Sequence, residues 1–231
     1  MKAAVIQSNY VPWLGYFDII SRVNHFVFYD EMQYTKRDWR NRNYIKTPSG
    51  KSLISIPVIT KGKYSQKISE VKVLNQNWKV KHLKTFEVNY KKSKYFTEIY
   101  DFLQSSFKKI NTNNLSIINQ LLIIEISKYL EINTKFHNSH DFLLEGDKNE
   151  KIINICNNLK VDRYLSGPFG KTYLSENMFL ENNIEIEYID YPEYKKYNQL
   201  WNDEFTSNLS IIDVLFNCGT DTRNMFSINC E

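Results

Sequence analysis

Residues 3–33 read AAVIQSNYVPWLGYFDIISRVNHFVFYDEMQ, and the fold turns on how they are read. Ala3, Ala4, Val5 and Ile6 are too few for a helix and too apolar for a loop. Such a run suits a strand buried on both faces, as in a parallel sheet. The chain then passes through Gln7, Ser8, Asn9, Tyr10, Val11, Pro12, Trp13, Leu14 and Gly15. Pro12 fixes φ and offers no N–H, which fits a loop or a first helical turn. Leu14, Phe17, Ile19, Ile20 and Val23 supply a helical face. His25 to Tyr29 forms a second apolar strand, closed by Asp30 and Glu31.

This is a βαβ unit, and it predicts where a ligand sits. In open α/β sheets ligands bind outside the carboxyl ends of the strands. Gln7, Asn9, Tyr10 and Trp13 follow the first strand. Asp30, Glu31 and Gln33 follow the second. The expectation is that they face one crevice.

The next segment, YTKRDWRNRNYIK, spans residues 34–46. It interleaves Lys36, Arg37, Arg40 and Arg42 with Trp39. Guanidinium forks match carboxylate or phosphate oxygens, and rings stack on a base or sugar. The segment is therefore expected to hold the phosphates of a ligand. Net charge is only +4 over 231 residues, and no extended basic stripe follows. That balance argues against a dedicated nucleic-acid binder.

Thr47 to Gly50 makes a turn. Residues 52–58 and 67–73 alternate, so a β-hairpin insertion is expected over about residues 50–75. A helical block follows over about 78–130: Trp78 to Tyr90, Phe96 to Ile110, and Leu115 to Leu130, the last apolar nearly all round and so buried. Glu125 inside it, if buried, needs a partner or a raised pKa, and a helix-face or core-edge ion pair is expected over a catalytic role. His137 and His140 have HxxH spacing. Residues three apart on a strand point to opposite faces, and no third ligand is evident, so no metal is assigned. Ser139 and His140, just past a strand, are candidate ligand contacts.

Asp147 is a helix N-cap for Asn149 to Leu159. Arg163 to Ser166 is a strand, followed by the turn Gly167-Pro168-Phe169-Gly170-Lys171-Thr172. Ser166, Gly167 and Lys171 are expected to bind an anion there, although the spacing is not that of a Walker loop. A helix is expected from Tyr173 to Asn182, then a strand over residues 184–191. The last helix runs from Asn208 to Asn217 and stops at Gly219, leaving a loose tail over 220–231.

Cys156, Cys218 and Cys230 make an odd set without CxxC spacing, which predicts reduced thiols in a cytoplasm. No secretory signal opens the sequence, and no apolar run approaches a membrane span. The fold expected is one α/β domain over 1–231. Its core is an open, mostly parallel sheet of about five strands in Rossmann-like or nucleotidyltransferase-like layers.

The segments IQSNYVPWLGYFDII, DEMQYTKRDWRNRNYIK, YLSGPFGKTYL and NLSIIDVLFNCG closely resemble the WbqC-like family. Ser8 stands where the family usually has proline. The resemblance implies a bacterial cytoplasmic protein of O-antigen or other surface-polysaccharide synthesis. It also implies an enzyme that attaches an acyl or aminoacyl group, such as glycyl, to a nucleotide-linked amino sugar. On that chemistry Asp30, Glu31 or His140 would take the proton from the amine. ATP–Mg or another acyl donor would supply the activated group. Two further readings are adenylyl or nucleotidyl transfer and a non-catalytic nucleotide-sugar binder. The first lacks the HxGH signature after the first strand.

Overall fold

The computed structural model describes residues 1–201 and 204–226. Cys230 and the end of the tail lie outside the described residues. The opening unit forms as its sequence predicts, with β1 at Lys2–Ile6, α1 at Leu14–Ser21 and β2 at His25–Phe28. An antiparallel hairpin follows, β3 at Arg42–Thr47 and β4 at Gly50–Ser55. The helical block comprises α2 (Asn77–Tyr90), α3 (Phe96–Lys109) and α4 (Leu115–Tyr129). Then come β5 (Lys135–Asn138), α5 (Lys148–Leu159), β6 (Arg163–Ser166), α6 (Glu176–Glu181), β7 (Glu185–Tyr188) and α7 (Ile211–Cys218).

Five strands form one parallel sheet in the order β5-β2-β1-β6-β7. The chain builds outward from β1 through β2 to β5, then returns to the far side of β1 for β6 and β7. The order therefore reverses between β1 and β6. Both faces of the sheet are buried, as the apolar runs require. Ala3, Val5, Val27 and Tyr164 pack with Ile152, Ile155 and Phe179 on the side of α5 and α6. Ala4, Phe26, Phe28 and Leu165 face the larger core, with side chains of α1, α4 and α7.

The hairpin begins earlier than its alternating pattern suggests. Its first strand is the end of the basic segment, and Gly50 at φ +95° closes the turn. Residues 67–73 do not form its second arm, and pair with the earlier segment only at the isolated antiparallel bridge of Val58 with Val73. Their buried side chains are Ile68, Val71 and Val73, so the first pair is three apart and fits the 3₁₀ turn observed at Ile68–Glu70. That turn bonds to the chain after β2: Ile68 N–H donates to Met32 O at 2.9 Å and Ser69 N–H to Asp30 O at 2.9 Å.

Other boundaries shift for local reasons. A 3₁₀ turn over Pro168–Thr172 delays α6 to Glu176. The first part of the tail is not loose: a 3₁₀ helix over Gly219–Met225 buries Thr222, and Phe226 is buried beyond it. Asp147 caps α5 by accepting from Asn149 N–H at 2.7 Å and Glu150 N–H at 3.0 Å. Glu125 pairs with Lys109 and Lys128 on the helix surface. No helix among the described residues is long and apolar enough to cross a membrane.

Candidate functional site

The sheet reversal leaves a crevice where loops diverge from β1 and β6. It encloses about 510 Å³ and is lined by Ile6 at the end of β1, Tyr29 after β2 and Ser166 at the end of β6. Gln7, Asn9, Trp13 and Gly167 from the adjoining loops also line it, as does Lys148 at the start of α5. Tyr16, Tyr29, Tyr164, Tyr173, Tyr191 and Phe169 make the walls strongly aromatic. Among the described residues lining it, Lys148 is the cation, and no carboxylate or imidazole is present.

Arg40 fixes the floor. Its guanidinium donates to the Asn9 amide oxygen and, at 3.1 Å, to Gln7 Oε1, while Asp38 balances its charge at 3.3 Å. Arg40 thus orients two crevice amides instead of lining the crevice itself. Tyr16 Oη donates to Gln7 O at 2.9 Å and holds the same loop.

Asp30 holds it from beneath. Asp30 is 3% exposed. It accepts from Ser8 N–H at 2.7 Å, from the Ser116 hydroxyl, and from Gln120 Nε2 at 3.1 Å. Asn119 Nδ2 donates to Arg40 O at 2.8 Å. Ser116, Asn119 and Gln120 recur at helical i, i+3, i+4 spacing, so one edge of α4 is polar and serves the loop. Their spacing was the signal available in the sequence.

Glu31 lies in sequence between Tyr29 and Met32, which line the crevice, and is not itself a lining residue. It pairs with Lys67 at 2.6 Å, and that bond holds its carboxyl below the usual range despite partial burial. Tyr29 is raised by burial, then by the charge of Glu31. His140 is exposed, lies 3.2 Å from Asp141, and also acts on Glu31 electrostatically. Ser139 is buried in a 3₁₀ turn after β5. His137 Nε2 lies 2.9 Å from His25 Nδ1 on the neighbouring strand.

The remaining candidates scatter. Tyr10 is fully buried and bonded to His82. Gln33 donates to Tyr64 O at 2.9 Å. Lys36 stands 5.4 Å from the Tyr64 ring, and Arg37 is exposed at φ +66°. Arg42 opens β3, with a buried Nε that lacks a protein partner. Lys171 lies over the Tyr188 ring at 5.2 Å, beside the crevice and not within it. The basic segment therefore does not converge as a phosphate cradle. Lys148, Tyr29 and Tyr191 are among the lining residues that motif reading missed. Lys148 was accessible to the same carboxyl-end rule, being the first helical residue after Asp147.

Trp13 occupies the place where a nucleotide phosphate often meets the first helix. Its indole folds over Gly15, where an added Cβ would collide with the ring. Ile211 N–H donates to Pro12 O at 2.8 Å and closes the same corner. The start of α1 is thus covered.

The WbqC-like protein family profile matches residues 7–225. The chain is 43% identical over 220 residues to the uncharacterized protein Rv1507c of Mycobacterium tuberculosis (strain ATCC 25618 / H37Rv), covering 95% of each chain. No solved structure matches. With nearly its whole length inside that profile, the chain belongs to the WbqC-like protein family.

Proposed function

We propose that the protein binds a nucleotide-linked amino sugar in the crevice between β1 and β6 and transfers an acyl or aminoacyl group to its amine. The observation that carries this reading is the crevice itself. It opens at the reversal of strand order, its aromatic walls suit a base, and Lys148 offers one cation for phosphate. The setting in this reading is bacterial surface-polysaccharide assembly, such as O-antigen, in the cytoplasm.

Acyl transfer to an amine forms the C–N bond, expels the donor's leaving group and releases a proton. Tyr29 lines the crevice and feels Glu31, which is held as a carboxylate. Glu31 is the proposed proton acceptor, with His140 the next group outward. Asp30, its oxygens taken by Ser8, Ser116 and Gln120, positions the loop after β1.

The test is a thermal-shift panel of UDP- and dTDP-linked amino sugars, ATP–Mg²⁺ and acyl-CoA, followed by mass analysis with the best pair. A ligand at a hundred times its Kd stabilises by roughly 2.7 kcal/mol, which such a panel detects. A shift with one sugar nucleotide, reduced in Lys148→Met, and a product heavier by the acyl group are expected. Binding without turnover would leave a sugar-nucleotide binder. A shift with ATP alone would move the reading to adenylyl transfer.

A further inference from the structure

The crevice has a side chamber of about 320 Å³, lined by Asn9, Pro12, Trp13, Trp39, Asn43 and Asn208. Asn9 and Trp13 line both spaces, so the chamber adjoins the crevice across these two side chains. The volume lies at the small end of the range for small-molecule sites. Its chemistry differs from that of the crevice. Two indoles and three amides line it, and among the described residues no ionisable side chain does. An uncharged site of this kind does not compensate a phosphate. Indole faces cover the apolar C–H faces of a sugar ring, and amides exchange hydrogen bonds with its hydroxyls.

The walls are held in place before any ligand arrives. Tyr10 N–H donates to Trp39 O at 3.2 Å, which ties the Trp39 backbone to the loop after β1. Asn43 Nδ2 donates to Val11 O at 2.8 Å and to Tyr10 O at 3.2 Å, and Ser210 Oγ donates to Val11 O at 2.7 Å. These bonds hold Val11 at φ +36°, a region that β-branched residues avoid. Backbone strain of this kind persists only where the surroundings over-determine it, and it clusters at ligand sites. Trp39 is 46% exposed, its ring meeting Tyr44 edge-on at 5.8 Å. A large ring is thus fixed at the mouth with its surface uncovered.

We infer that this chamber is the subsite for the sugar ring, an inference that rests on the nucleotide-sugar reading of the crevice. Trp39 provides the stacking face, and Asn9 and Asn208 provide the polar contacts. The base and phosphate then remain on the crevice side of Trp13, and the sugar's amine must face back past Asn9 toward the crevice for Glu31 to take its proton, since among the described residues no ionisable side chain lines the chamber.

Calorimetry separates the two claims. UDP, dTDP, GDP and CMP are titrated alongside their hexose or N-acetylhexosamine conjugates, with the unaltered protein and with Trp39→Ala. The best conjugate is expected to bind at least about tenfold tighter than its bare nucleotide. Trp39→Ala should remove that gain and leave the bare nucleotide unchanged. Conjugates no tighter than nucleotides, or a variant that weakens both alike, would overturn the sugar subsite while leaving the crevice reading intact. If no nucleotide binds in any form, the nucleotide reading fails. Quenching of tryptophan fluorescence by free N-acetylglucosamine, lost in Trp39→Ala, would then support the chamber alone, and no quenching would overturn it as well.

Discussion

Tyr10 Oη and His82 Nδ1 lie 2.7 Å apart inside the core, joining the loop after β1 to α2. Both residues are buried. Burial pushes the His82 imidazole down to about 4, so the folded protein keeps it neutral. The unfolded chain takes up that proton near 6.5. Stability on this account is complete above the unfolded value and falls as pH drops toward 4. Between pH 7 and pH 5 the loss is about 2 kcal/mol from this residue. Urea unfolding at both pH values checks it, with His82→Gln as the control. The variant should be less stable at pH 7 and lose less on acidification.

Asp213 organises the second buried network. It accepts from Tyr90 Oη at 2.8 Å, Tyr197 Oη at 2.7 Å and Gln199 Nε2 at 3.1 Å. Lys46 Nζ donates to Gln199 Oε1 at 3.1 Å. Tyr194, on the same return segment, donates to Asp18 at 2.7 Å, and that segment carries Tyr191 into the crevice wall. Asp213→Ala leaves buried hydroxyls without an acceptor and a lysine without its nearby charge. A destabilisation of about 3 kcal/mol is expected. Limited proteolysis should then cut within residues 191–201 first, a result that uniform loosening would not give.

Arg40 bridges two amides, and a lysine cannot reproduce that fork. Arg40→Lys is expected to cost about 1 kcal/mol in stability. Its larger effect is on ligand affinity, since Gln7 and Asn9 lose their common anchor. If Arg40 instead held phosphate directly, Arg40→Gln, which removes the charge that Arg40→Lys keeps, would flatten the dependence of binding on salt. Titrations at several salt concentrations separate these cases. The geometry predicts weaker binding with an unchanged salt slope.

The sheet was legible because its strands are short apolar runs whose side chains must be buried on both faces. The first two strands and β6 read directly from AAVI, HFVFY and RYLS. The location of the crevice followed from topology. Its chemistry did not. Asp30 reads as a candidate base until Ser116 and Gln120, 86 and 90 residues later, are seen to occupy its oxygens. Arg40 reads as a phosphate ligand until the fold turns it back onto Asn9. Both assignments depend on contacts between segments far apart, which local spacing does not encode. Lys148 is the intermediate case: it opens α5, the crossover from β5 to β6, so the carboxyl-end rule points to it although no motif does.

Trp13 borders the crevice, the side chamber and a third cavity of about 480 Å³ against residues 191–197 and 205–209. Its ring packs on Tyr191 at 5.0 Å and on Tyr194 at 5.9 Å, and it covers Gly15 so closely that no Cβ fits. Gly15→Ala brings two opposed effects. Alanine favours the helix by up to about 1 kcal/mol, while forcing a side chain into a packed contact costs about 1–3 kcal/mol. The clash should win, because the colliding atoms belong to a rigid ring held by two tyrosines. Net destabilisation is expected to be modest, but the indole must swing, and all three cavities change shape with it. Ligand affinity should therefore fall further than stability does. Combining Gly15→Ala with Trp13→Ala removes the clash. The double variant should show a smaller stability loss than the two single losses added together, and it should bind no better than Trp13→Ala alone. Strict additivity in urea unfolding would mean that Gly15 and the indole do not act on each other, and that the glycine is there for some reason other than making room for the ring.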